Sequence, residues 1–158
     1  MATYNRTATG GGTVGHPSNA AVPYVMTSPV WDTADGGTGG DVVQLIDVPA
    51  DSMVVAGCLE VLEARGNGQI TMDIGITGGD VDCFVDGSAC AAGFTPFLEA
   101  AVGASGANAR ILTSADTIDA LILDGGSTGE SALRFRIHVV LADISHNPVE
   151  TATVSTGT

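Results

Sequence analysis

The chain has 158 residues, with 18 Asp plus Glu against 5 Lys plus Arg, a formal charge of −13 at pH 7. All the cations are arginines (Arg6, Arg65, Arg110, Arg134 and Arg136) and lysine is absent, which excludes P-loop phosphate binding and Schiff-base chemistry and argues against nucleic acid as a direct partner. Aromatics are 4% of the chain and Gly 22 residues, so one domain with a core of Val, Ile, Leu and Ala is expected.

Residues 1–25 show neither strand nor helix periodicity and read as an extended N-terminal arm; they lack the apolar middle of a signal peptide, so cytoplasmic synthesis is expected. Residues 26–145 read as the folded domain. Val42 to Val48 is the first strong apolar run, ended at Pro49-Ala-Asp51. Ser52 to Ala64 is a long β-branched run in which Gly57 is expected to mark a bulge. Arg65-Gly-Asn-Gly68 is a hairpin signal. Gln69 to Ile76 alternates, with Ile70, Met72, Ile74 and Ile76 on one face. Phe94-Thr-Pro-Phe97 reads as a loop anchored by two rings, and Leu98 to Val102 as a helical turn. Ala109 to Thr113 and Thr117 to Leu123 are further strands. Leu133 to Leu141 is the clearest, with Leu133, Phe135, Ile137, Val139 and Leu141 on one face and Arg134, Arg136 and His138 on the other. Residues 146–158 read as a C-terminal tail.

Short strands between turn clusters, with no long amphipathic helix, predict an all-β antiparallel sandwich, jelly-roll-like, as a single domain with extended arms. No apolar run approaches the roughly 18 residues of a membrane-spanning helix, and no membrane partner is expected. The odd number of cysteines (Cys58, Cys83, Cys90) implies no disulfide framework, although Cys83 and Cys90 could meet across a loop.

Candidate chemistry is sparse. Gly36-Gly-Thr-Gly-Gly-Asp41 fits one calcium-binding nonapeptide, but that mechanism needs stacked copies. Gly10 to Gly15 matches a dinucleotide fingerprint without its strand and helix. Asp80, Asp82 and Asp86 are candidate Ca²⁺ ligands, against the commoner role of turn-capping carboxylates. No nucleophile elbow or paired histidine motif occurs, and an enzyme is not expected. Arg134, Arg136 and His138 form the one concentrated positive face, open to two readings: a docking stripe for an acidic partner, or pairing with the chain's own carboxylates.

Leu59-Glu-Val-Leu62, the run from Ile70 to Gly87, Asp116-Thr-Ile118 and Leu133 to Asp143, in this order, resemble small β-rich capsid decoration (cement) proteins of tailed bacteriophages, marine ones included. The resemblance spans about Ser52 to Ser145. It implies a virion structural protein on the outer capsid surface, bound to the major capsid protein and to neighbouring copies of itself, and it supplies no catalytic residues. Interface anchors are then expected at Tyr4, Tyr24, Trp31, Arg134, Arg136 and His138, since aromatics and Arg dominate interfaces; the alternative for Trp31 is core packing. The rival function is a head-fibre or tail-associated module binding host glycans through residues 80–106, assisted by Ca²⁺.

Overall fold

The computed structural model describes residues 3–8, 23–33, 39–64, 70–76, 78–97, 111–123 and 133–145, with side chains from residue 23 onward. The Asn67-Gly68 hairpin, the helical turn at 98–102 and the tail from 146 lie outside these residues. The strands are β1 (Thr3–Ala8), β2 (Tyr24–Thr27), β3 (Trp31–Asp32), β4 (Val42–Val48), β5 (Ser52–Glu63), β6 (Thr71–Ile76), β7 (Val85–Ala89), β8 (Gly93–Pro96), β9 (Ile111–Leu112), β10 (Asp116–Ile122) and β11 (Arg134–Asp143). They form two sheets packed as a sandwich. The first runs β1-β4-β10-β6-β7; the second runs β2-β11-β5-β8, with β3 also on β11 and β9 also on β5. All pairings are antiparallel except that of β1 with β4. Among the described residues there is no α-helix, so the expected all-β sandwich is the observed one.

Period-2 alternation builds the core. Phe135, Ile137, Val139 and Leu141 of β11 are fully buried, as are Ile118, Ala120 and Ile122 of β10 and Met72 and Ile74 of β6. Each such large side chain contributes roughly 1.5–3 kcal/mol on leaving water. The long β5 keeps its alternation only through two irregularities against β11, where Val55 and Leu62 are left without a partner. Its inward set is therefore Ser52 and Val54, then Gly57, Leu59 and Val61. The bulges lie at Val55 and Leu62, not at the predicted Gly57. Gly57 faces inward for another reason: the Phe97 ring lies where its Cβ would be. Phe97 stacks on Phe84, ring centroids 5.5 Å apart, and its N–H donates to the Gly57 carbonyl at 2.7 Å. A third irregularity, at Leu45, turns Leu45 and Ile46 of β4 inward together.

The corner from β4 to β5 crosses between sheets. Asp51 takes φ 56° there, and its carbonyl accepts the Ile144 N–H at 2.8 Å. Short polar Asx residues tolerate this left-handed conformation. Two edge strands escaped the sequence reading in the N-terminal segment: β1 lies on β4, and Tyr24 and Val25 belong to β2.

Candidate interaction surface

The outward side chains of β11 meet those of its neighbours in register. Arg134 lies opposite Glu63 and Asp32, Arg136 opposite Glu60, and His138 opposite Cys58 and Thr27. The Glu60 carboxylate is the node: one oxygen accepts from Arg136 Nε and lies 2.8 Å from His138 Nε2. Hydrogen bonds from Arg136 and then His138 hold the Glu60 carboxyl below its ordinary range. Thr27 Oγ1 lies 2.9 Å from His138 Nδ1. Arg134 stands 3.8 Å from Asp32 and 4.0 Å from Glu63. Both arginines are thus engaged within their own sheet, the cross-strand alternative; as a docking stripe they would have to leave these partners.

The aromatic candidates separate. Trp31 is 2% exposed and sits in the core, so in the folded domain it is packing and no surface anchor. Tyr24 is half-buried against that core; burial first, then the Asp143 charge, pushes its phenol up. Tyr4 pairs through its backbone with Val43.

Beside the charged node the same face turns apolar. Val25, Val140 and Ala56 line up across β2, β11 and β5, and Ile111 pairs with Met53 beyond them. Val25 is 69% exposed, and Val55, Ile111 and Phe94 are exposed too. The sequence held one signal of this: β5 carries more apolar residues than a strand with one buried face needs. Of the two rings expected to anchor the Phe94–Phe97 loop, Phe97 is in the core and Phe94, on β8, faces water.

The first sheet is of opposite character. On its outer side Asp73 and Asp119 are buried and Asp47 is half-buried, while Asp80 and Asp86 are exposed and Asp82 and Asp116 half-buried in or beside its loops; Arg6 is on its edge strand β1. The segment after β6 folds back over it, Ile76 N–H donating to the Asp80 carbonyl at 2.9 Å. Gly75 permits this, because a Cβ there would collide with the Asp80–Val81 backbone. Asp73 accepts the Gly87 N–H at 2.7 Å. Burial, with lesser help from Asp82 and Asp86, pushes its carboxyl up. A hydrogen bond shared with Asp82 pushes Asp80 up. Among the described residues no three His, Cys, Asp or Glu side chains are grouped to hold a metal ion. The candidate Ca²⁺ ligands Asp80, Asp82 and Asp86 are not brought together as such a group, and Asp80 and Asp82 share a hydrogen bond. Cys83 and Cys90 are separate buried thiols, each pushed up to about 12 chiefly by burial. Cys58 is a half-buried thiol on the second sheet's outer face.

No protein-family model and no curated protein matches the sequence. The fold does match solved structures. One is from the capsid of Ralstonia phage GP4, at TM-score 0.63 and 19% identity, covering 89% of this chain and 97% of that one. Another is from the capsid asymmetric unit of cyanophage Pam1, at TM-score 0.60 and 14% identity, covering 86% and 96%. A third is from the acid-stable capsid of Helicobacter pylori bacteriophage KHP30, at TM-score 0.56 and 16% identity, covering 77% and 88%. The chain shares its fold with proteins of three phage capsids.

Proposed function

We propose that this chain is a virion structural protein, a decoration protein that binds the outside of a phage head and strengthens contacts between major capsid subunits. The observation that carries this reading is the fold, matched over nearly the whole of its neighbours in three capsids. Charge supports the decorating role over a place in the inner shell wall, since a chain of −13 is repelled by packaged DNA. The mechanism is mechanical: many copies of a modest interface, each spanning a seam, reinforce the shell by avidity.

The test is removal and return. Heads of the virus encoding this chain, stripped of it by mild denaturant, keep their shell and become more sensitive to heat and osmotic shock. Adding back the purified chain restores resistance. A head that falls apart on stripping identifies the chain as a shell subunit instead, and a purified chain that does not rebind refutes the decorating role.

A further inference from the structure

We infer that the second sheet's outer face is the docking face, seated on an apolar, weakly charged patch of a shell subunit, with the acidic segment that covers the first sheet turned to solvent; this rests on the capsid reading above. A single exposed Val needs no explanation. Here Val25, Val140 and Ala56 cross three strands in one row, and Met53 and Ile111 extend it. Contiguous exposed apolar surface of this kind marks binding sites.

The adjoining charges fit the rim of such an interface. Arg136 and His138 are matched by Glu60, and Arg134 by Asp32 and Glu63, so a partner can approach without stranding a charge. An apolar centre beside a satisfied polar rim is the usual anatomy of a protein interface. The opposite side would strand charge on contact: Asp80 and Asp86 are exposed there and Asp82, which shares a hydrogen bond with Asp80, is half-buried, and a covering surface would remove their remaining water. A second copy is the poorer occupant, because face-to-face pairing joins two chains of charge −13.

The experiment compares shell binding of Val25→Asp and Ile111→Asp with that of Asp82→Asn, using stripped heads as the probe and a melting curve to show that each variant folds. Val25 and Ile111 are exposed, so their replacement leaves the core intact. A carboxylate forced into an apolar contact weakens binding at least about tenfold, whereas Asp82→Asn binds as wild type does. If wild type binds and both apolar-row variants bind equally well, or if only Asp82→Asn loses affinity, the orientation is overturned and the decorating role stands. If wild type itself fails to bind, the decorating role falls and this inference with it. Sedimentation of the free chain supplies the last arm: a dimer that Val25→Asp dissociates, with shell binding intact, assigns the face to a second copy and overturns the inference.

Discussion

Gly57→Ala tests the packing of the sandwich with one methyl group. Gly57 has no positive φ, so the substitution carries no backbone strain and reports on space alone. A Cβ there would lie 2.8 Å from the His138 carbonyl oxygen and nearer still to the Phe97 ring edge. The ring cannot simply swing away, because it is stacked on Phe84 and its backbone is tied to Gly57. Forcing one carbon into a filled core costs about 1–3 kcal/mol. At roughly 2–4 °C per kcal/mol for a chain of this size, Tm falls by about 2–12 °C. A double-mutant cycle isolates the cause. Phe97→Ala alone costs about 3–5 kcal/mol. In that background Gly57→Ala still meets the His138 carbonyl but no longer the ring, so its cost shrinks by about 1–2 kcal/mol. The assay is denaturant unfolding of the four variants. An equal cost of Gly57→Ala in both backgrounds, or no cost in either, refutes the explanation.

Gly75→Ala pushes against the Asp80–Val81 backbone instead of a side chain; it costs about 2 kcal/mol or more and makes residues 78–84 newly sensitive to limited proteolysis. Asp73 titrates above its ordinary range in the fold, so protonation favours the folded state. Tm therefore gains a contribution as pH falls from neutral through the Asp73 titration, and Asp73→Asn removes it while keeping an oxygen for the Gly87 N–H. Glu60 has the opposite sign: its contribution is complete above the ordinary glutamate value and is lost as pH falls through its lowered folded value. Glu60→Gln accordingly abolishes the acid-side loss due to this node in a Tm-versus-pH series. Thiol titration with a chromogenic disulfide at pH 8 gives one residue, Cys58, reacting in the native state, while Cys83 and Cys90 react only after denaturation.

Strands with one wet and one dry face were legible in the sequence. β11 alternates from Arg134 to Leu141, with Phe135, Ile137 and Val139 buried as that pattern requires. β6 alternates in sequence and buries Met72 and Ile74, but its other face, Asp73 included, is buried too because the segment after it folds back over the sheet. β1 was not legible: Thr-Tyr-Asn-Arg-Thr-Ala has no apolar period, and its place follows from the free edge that β4 offers. The bulges were missed because a glycine in a strand announces either a bulge or a close approach, and at Gly57 it is the approach of a ring from a segment forty residues away. The surface was half legible. Arg134, Arg136 and His138 showed as one stripe, but their partners come from β3 and β5, and no local pattern names them. Of the apolar row only the surplus of apolar residues on β5 showed, because Val25, Val140 and Ala56 are adjacent only once three distant strands lie side by side.

The unpaired residues of β5 set where this strand can change length. Removing Val55 would leave a regular strand in which Val54 and Gly57 still point inward, because the residue lost is the one without a partner. Removing a residue between Leu59 and Val61 would send the following side chains to the wrong face until Leu62 absorbs the slip. Val55 and Leu62 are thus the two joints at which single-residue deletions are tolerated in an otherwise rigid element, with loss of local twist as the cost. Sequence drift among proteins of this fold is expected to concentrate there, and strand length to change by single residues at these joints and by pairs elsewhere.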